Sequence, residues 1–243
     1  MDYRDYVRPR YVELMQALGL ECQFHRASGS KLFRRDAAGA EVAVTDFLGG
    51  YGAALFGHND PELVELLCAL LREQAPFNAQ MSVRRAAGEL GRRLSEALGQ
   101  ELGCAEHFVS TFSNSGAEAV EIAIKHAEFS RQKRLQAAFD QLDFVLAGLS
   151  GGQQAYVEFD VGELELPAGL LPAHLTTVTL RQLAEAVRQH NLAQLHAAPV
   201  FVAMRRSFHG KLVSSVQLTY GRQYRQPFAR FGLNVDFVDP ETG

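Results

Sequence analysis

The 243-residue sequence is poor in cysteine, in long apolar runs and in stretches of one charge. Its three cysteines are odd in number and far apart, which argues against a disulfide framework or a zinc ribbon and indicates reduced thiols. No apolar stretch reaches the length of a membrane span, and the charged start MDYRDYVRPR does not resemble an export signal. With a net charge of -4 and no basic run, neither nucleic acid nor a membrane is an expected partner. We therefore expect a soluble, cytoplasmic protein without a metal site.

The first third of the chain has the spacing of short helices and strands. It predicts a helix over Tyr6 to Leu20 that Gly19 closes, and small antiparallel strands between Lys31 and Leu48. Asp60 and Pro61 then mark the start of a helix. That helix carries an apolar stripe that we expect to be packed, formed by Leu63, Leu66, Leu67, Leu70 and Leu71.

The rest of the chain has the pattern of an α/β protein with an insertion. A helix from about Val83 to Leu98 is expected to turn its apolar residues inward and its arginines to solvent. His107 to Phe112 is β-prone and leads through the turn SNSG into the helix AEAVEIAIKHAEFSR. The run PVFVAM predicts a buried strand, and LNVDFVD predicts another. The predicted segments are an N-terminal part (1–58), the first part of a large domain (59–130), an inserted subdomain (131–198) and the continuation of the large domain (199–243).

The turn SNSG is the most suggestive segment for ligand binding. Ser115 and Glu118 have the spacing of a capping box, which predicts that a helix starts here. A helix start has backbone NH groups without acceptors and about half a positive charge, so it attracts anions. Gly116 would let a phosphate approach the backbone, although Ser115 could also be a cap that no ligand visits. The turn matches neither a Walker A loop nor a GxGxxG dinucleotide loop.

Three motifs in the same order resemble class III aminotransferases. They are the early DFLGGYGAALFGHNDP, then SNSGAEA with the helix VEIAIKHA, and then FHGK after PVFVAM, and together they cover 46–125 and 199–228. The resemblance implies an α/β fold. It would be the N-terminal half of fold type I of the pyridoxal phosphate (PLP) transferases, with a small-domain segment and an incomplete large-domain sheet that has helices on both faces.

The resemblance also implies the residues of a cofactor site. Ser115, Gly116 and Ala117 would bind the PLP phosphate, mainly through backbone NH groups. Phe208 would stack on the pyridine ring and His209 would lie beside it. Without the resemblance, Phe208 would be an ordinary core aromatic and His209 an ordinary hydrogen-bonding residue.

The catalytic groups of the family are not recognisable in this sequence. The resemblance implies a lysine that forms a Schiff base with PLP and an acid at the pyridine nitrogen, both after the FHG motif. None of the four lysines stands in a matching context, so no catalytic residue is assigned; they are Lys31, Lys125, Lys133 and Lys211. We expect a fragment, a truncation or a domain completed by another chain, with exposed edges and a tendency to aggregate.

The expected activity of the complete protein is amino-group transfer between an amine or amino acid and an aldehyde or keto acid, by a homodimer. An aminomutase or racemase of the same fold is one alternative, and a non-catalytic truncated homologue that acts as an interaction partner is another. The insertion 131–198 has two open interpretations. It could be a docking or dimer-contact subdomain, for instance for a substrate delivered on a carrier protein, or a solvent-exposed excursion without a ligand.

Overall fold

The computed structural model describes residues 2–76, 81–149, 152 and 156–241. The chain forms two compact units, Met1–Arg84 and Arg85–Gly243. The predicted segment boundaries at 58, 130 and 198 stay predictions. Within the described ranges, no helix combines the length and the apolar character that a bilayer crossing requires.

The first unit begins with two short helices, α1 (Asp2–Tyr6) and α2 (Pro9–Ala17), where the sequence predicted one. The break follows from Pro9, because the residue before a proline is pushed away from the helical region. Arg8 accordingly has φ -144° and ψ 74°. The predicted stop is confirmed, since Gly19 has φ 65°, the left-handed conformation common just after a helix.

A three-stranded antiparallel sheet follows, with the order β1 (Phe24–Ser28), β2 (Lys31–Arg35), β3 (Glu41–Thr45). The predictions of β2 and β3 are confirmed. The sequence did not predict β1, because four of its five residues are exposed and it lacks the apolar alternation that identifies a half-buried strand.

Helix α3 spans Pro61–Arg72 and starts as predicted. The side chain of Asp60 accepts hydrogen bonds from the backbone NH groups of Glu62 and Leu63, both at 3.1 Å. The predicted packing of its leucine stripe is wrong, since these side chains keep 38–55% of their surface exposed. Amphipathic spacing identifies a face that can be buried, but a partner surface must be present to cover it.

The second unit begins with α4 (Arg85–Leu102). The predicted inward face is wrong, because its apolar members are exposed: Leu90, Leu94, Ala97 and Leu98. The buried residue is instead Ser95, whose hydroxyl accepts a hydrogen bond from the Phe108 NH at 3.0 Å. The expectation of a solvated arginine face is confirmed for Arg92, an exposed residue that pairs with Glu89 at 2.8 Å.

The predicted strand at residues 107–112 is also wrong. In the part of the chain that the structure describes, these residues form no strand and pair with no sheet. A β-prone composition fits a pleated surface, but only a neighbouring strand supplies the hydrogen-bond ladder.

Helix α5 runs without interruption over 34 residues, Gly116–Leu149. The sequence predicted the helix AEAVEIAIKHAEFSR here, with an inserted subdomain beginning at residue 131. The helix passes that point because the residues around it favour helix and contain neither proline nor glycine. Sequence patterning can therefore mark a change in surroundings where the backbone itself continues unchanged.

After α5, the chain reverses direction and runs back along this helix. Strands β4 (Glu158–Asp160) and β5 (Thr177–Thr179) form an antiparallel pair, and α6 (Leu180–His196) follows. Helix α6 packs against α5. On α5, Arg131 donates from Nη1 to the carbonyl of Gln194 in α6 at 2.9 Å.

Strands β6 (Val200–Met204) and β7 (Asn234–Val238) form a parallel pair. The predicted burial of β6 is only partly correct, because burial alternates along the strand. Ala203 is buried and Phe201 is half-buried, whereas the other three side chains are exposed. A strand with one uncovered face keeps this alternation even when its sequence is apolar throughout. Between the strands lie α7 (Ser215–Leu218), which is entirely buried, and α8 (Arg222–Arg225).

Candidate functional site

The SNSG turn leads directly into α5, as predicted. Ser115 precedes the first helical residue, and its Oγ accepts a hydrogen bond from the Glu118 NH at 3.3 Å. Glu118 in return accepts a hydrogen bond from the Asn114 NH at 2.8 Å. The predicted capping residue is confirmed, with the return bond one residue earlier than in a standard capping box.

The start of α5 is open to solvent. Ser115 and Gly116 are exposed, and a Cβ atom added to Gly116 would meet no described atom within 4 Å other than its chain neighbours and the backbone of α5. The first NH groups of a helix have no acceptor within the helix, and they carry the positive end of its dipole. The backbone at Gly116 is therefore sterically open to a ligand, while the assignment of Ser115, Gly116 and Ala117 to a phosphate site stays a prediction.

The FHG loop lies against this turn. Gly210 is buried with φ 113°, and a Cβ atom built on it would stand 2.5 Å from the Ala117 Cβ. Successive Cα atoms are about 3.8 Å apart, so Phe208 lies within about 8 Å of Gly210. The structure thus brings together two motifs that are some ninety residues apart in the sequence.

The backbone of the FHG loop is held by Thr219, which is 1% exposed. Its Oγ1 donates to the carbonyl of Gly210 and accepts from the NH of His209, each at 3.0 Å. The Tyr220 NH also donates to the carbonyl of Ser207 at 2.9 Å. Such bonding on both sides fixes the conformation of the loop. The sequence analysis missed Thr219, because this threonine belongs to no recognisable motif and has no distinctive spacing.

Phe208 is 59% exposed and packs edge-on against Tyr224, with ring centroids 6.0 Å apart and an interplanar angle of 80°. Lys211 lies over the same tyrosine ring at 5.2 Å. This exposure is unlike that of a core aromatic, and the exposed face of Phe208 is free to contact a planar ligand. His209 is half-buried and is held through its backbone NH. The assignment of Phe208 and His209 to a cofactor site stays a prediction.

Glu121 connects α5 to the segment that follows the FHG loop. One of its oxygens, Oε1, accepts hydrogen bonds from the NH groups of Ser214 at 2.7 Å and Ser215 at 2.8 Å. Glu121 is four residues after Ala117, so both residues lie on the same side of the helix. The sequence analysis missed it, since a glutamate in the second turn of a helix is ordinarily exposed.

In the first unit, Asp46 and His58 fix the two ends of the glycine-rich connection. Asp46 Oδ2 lies 2.8 Å from His58 Nε2, and Oδ1 accepts from the NH groups of Leu48 and Gly49. The hydrogen bond from His58, followed by those from Gly49 and Leu48, lowers the pKa of the Asp46 carboxyl. This carboxylate therefore stays charged and holds the loop.

Three of the four lysines lie outside the SNSG turn and the FHG loop, and the fourth, Lys211, directly follows the FHG motif. Lys31 donates to Thr45 Oγ1 at 2.6 Å, Lys133 lies 5.5 Å from the centroid of the Phe129 ring, and Lys125 is exposed on α5. Among the residues that the structure describes, no group of three or more His, Cys, Asp or Glu side chains could hold a metal ion.

Comparison with known families identifies one match over nearly the whole chain. The family described as aminotransferase class III matches residues 16–242. The curated aminotransferase PigE of Serratia is 34% identical over 132 residues, which are 54% of this chain and 14% of that protein. The 2-aminoadipate transaminase of Pseudomonas putida is 34% identical over 147 residues, 58% of this chain and 34% of that protein. The aligned regions thus span about a third or less of these relatives.

Solved structures show the same fold. The adenosylmethionine-8-amino-7-oxononanoate aminotransferase of Methanocaldococcus jannaschii has a TM-score of 0.56 at 15% identity, with 99% of this chain and 40% of that chain covered. An ornithine aminotransferase of Toxoplasma gondii, with partial occupancy of PLP at its active site, has a TM-score of 0.52 at 15% identity. The alignment with this ornithine aminotransferase covers 98% of the present chain and 42% of the ornithine aminotransferase chain. The predicted fold class, a partial α/β fold of the PLP aminotransferases, is confirmed.

Proposed function

Because the chain belongs to the class III aminotransferase family, we propose that it binds PLP and forms the cofactor-binding part of an aminotransferase. The aligned part of this chain covers only 14% to 34% of the curated relatives, so the activity of the whole protein is inferred from the family. The observation that carries the proposal is the open start of α5 with the FHG loop packed beside it.

The residues present fit a phosphorylated aromatic cofactor. The NH groups of exposed Gly116 and half-buried Ala117, at the start of α5, suit a dianionic phosphate, and the hydroxyl of Ser115 can add a further hydrogen bond. Phe208, on the adjoining loop, offers an exposed aromatic face for a pyridine ring. We propose that His209 lies at the edge of that ring. In this arrangement one element holds the phosphate and the other fixes the plane of the ring.

PLP, when bound, supplies the electron sink that makes amino-group transfer possible. The residues of this chain bind the phosphate and orient the ring. We assign no catalytic residue among them, because none of the four lysines stands where the family places its covalent lysine. Amino-group transfer would then require a lysine and an acid that are not among these site residues.

The substrates that we propose are an amine or amino acid as donor and an aldehyde or keto acid as acceptor. The curated relatives act, by their names, on putrescine and on 2-aminoadipate, which are a diamine and an amino acid. We propose further that the protein acts in the cytoplasm as a homodimer. The segment 131–198 has two possible roles, as a docking or dimer-contact subdomain or as an excursion without a ligand.

The proposal is tested by titrating the purified chain with PLP and with pyridoxal, which lacks the phosphate, in a calorimeter. We expect PLP to bind about tenfold or more tightly than pyridoxal, since charge-assisted hydrogen bonds at the helix start supply the difference. Equal affinity for the two ligands would contradict a phosphate site. Borohydride treatment followed by peptide mass spectrometry checks the second part, and a stable PLP adduct on any of the four lysines would overturn the assignment of no catalytic residue.

A further inference from the structure

Glu121 provides the cap of α7. This helix has only four residues, and the residue before it, Ser214, makes no side-chain capping bond of its own. The first NH groups of a helix need an acceptor. Glu121 Oε1, from a different helix, accepts from the NH groups of Ser214, just before α7, and of Ser215, its first residue. The partners are 93 and 94 residues apart in the sequence. A carboxylate that accepts from the NH groups of half-buried Ser214 and buried Ser215 is difficult to replace.

The contacts of Glu121 and of Gly210 lie along one side of α5. Gly210 packs on Ala117 in the first turn of the helix, and Glu121 is one turn further on. Between them the FHG segment is closed internally, because Ser215 Oγ accepts from the Leu212 NH at 3.2 Å and Ser215 is fully buried. The segment that follows Phe208 is thus attached to α5 at two successive points.

We propose that Glu121 is a positioning residue, which holds the ring-binding loop in register with the phosphate-binding turn. It touches neither phosphate nor ring, and it acts by setting where Phe208 stands relative to Gly116. The inference rests on the proposed function and deepens it. A phosphate bound at the turn alone is independent of Glu121, whereas a ligand that spans the turn and Phe208 depends on it.

Two ligands separate these contributions. Inorganic phosphate probes the turn alone, and PLP probes the turn together with the ring-binding loop. In Glu121→Ala, we expect phosphate affinity within about twofold of native and PLP affinity lower by about three- to tenfold, the value of an aromatic contact. Glu121→Gln keeps a carbonyl oxygen at the same distance and should restore PLP affinity. Glu121→Asp is one methylene shorter and should behave like the alanine variant.

A double variant tests whether Glu121 acts through Phe208. If it does, the double variant should have the same PLP affinity as Phe208→Ala alone, because the contact with the pyridine ring can be lost only once. If the losses of PLP affinity in the two single variants add up in the double variant, the proposal is overturned. Additive losses would mean that Glu121 affects PLP binding independently of Phe208. Glu128→Ala is the matched control, because Glu128 lies on the same helix and bonds to Arg131 and Gln132 of that helix. It should leave both affinities unchanged.

The outcomes distinguish the two proposals. If the native chain binds neither phosphate nor PLP, the proposed function fails, and the role of Glu121 fails with it. If the native chain prefers PLP and Glu121→Ala keeps the native ratio of the two affinities, only the role of Glu121 fails. Should the alanine variant not fold, the comparison of Glu121→Asp with Glu121→Gln decides by the same ratio.

Discussion

Gly210 stands so close to Ala117 that a single added carbon would lie 2.5 Å from the alanine Cβ. Non-bonded carbon atoms do not approach this closely without displacement, so the contact sets how near the FHG loop comes to α5. The φ of 113° at Gly210 is also one that other residues rarely adopt. The two motifs of the proposed cofactor site are joined at this point.

Gly210→Ala should therefore disturb both folding and binding. The added methyl group meets Ala117, and the backbone conformation becomes strained, which together should cost about 1–3 kcal/mol in the free energy of unfolding. Denaturant titration measures that loss, and PLP affinity should fall with it. Gly88→Ala is the control, because a Cβ there meets nothing within 4 Å and alanine favours the interior of α4. A Gly210→Ala variant as stable as the native chain would contradict this packing.

Gly116→Asp should change stability and binding in opposite directions. A carboxylate in the first turn of a helix stabilises it by about 0.3–1 kcal/mol, and Gly116 has open space for the side chain. The same charge repels phosphate, so affinity for PLP should fall about tenfold or more. Gly116→Asn has the same shape without the charge and serves as control. Thermal melts and calorimetry test the two effects, and undiminished PLP affinity in Gly116→Asp would place the phosphate elsewhere.

The ion pair between Glu128 and Arg131 predicts a dependence of stability on pH. Hydrogen bonds from Arg131 and then from Gln132 lower the pKa of Glu128 from 4.5 to about 2. Because the folded pKa is the lower one, the unfolded chain binds the proton more tightly between these values. The stabilisation is complete above about pH 4.5 and is lost as the pH falls through about 2.

Glu128→Gln should consequently be less stable than the native chain at pH 7, with a small difference because the pair is partly exposed. The difference should shrink between pH 4.5 and pH 2 in thermal melts. Gln132→Ala removes only the second hydrogen bond and should give an intermediate profile. A difference that stays constant down to pH 2 would show that Glu128 acts through packing and not through charge.

The exposed leucines of α3 predict self-association of the purified chain. Leu66, Leu67 and Leu71 each keep just over half of their surface exposed on one helix. Exposed apolar surface of this kind favours association, so light scattering should rise with protein concentration. Replacing Leu67 and Leu71 with Lys should reduce the scattering. Replacing the exposed Glu65 with Lys is the charge control, and an equal reduction in that variant would mean that charge, and not the leucine stripe, governs association.

The sequence by itself determined the local features of this protein. The caps at Asp60 and Ser115, the stop at Gly19 and the presence of α3, α4 and α5 were predicted correctly, because each depends on residues within about four positions of one another. The family motifs added the α/β class, which the structure and its relatives confirm. The break at Pro9 was missed although its cause is local, since the apolar spacing continues across it.

Only the tertiary structure decided which of these elements meet. The apolar spacing of α3 and α4 predicted buried faces that are in fact exposed. Among the residues that the structure describes, none forms a strand beside residues 107–112, so these do not form a strand either. The packing of Gly210 on Ala117 and the bond from Ser214 to Glu121 join residues that are 93 apart. Periodicity reports the preference of a segment for water or for a core, but it does not specify the partner, because a contact between distant residues depends on the path of the whole chain between them.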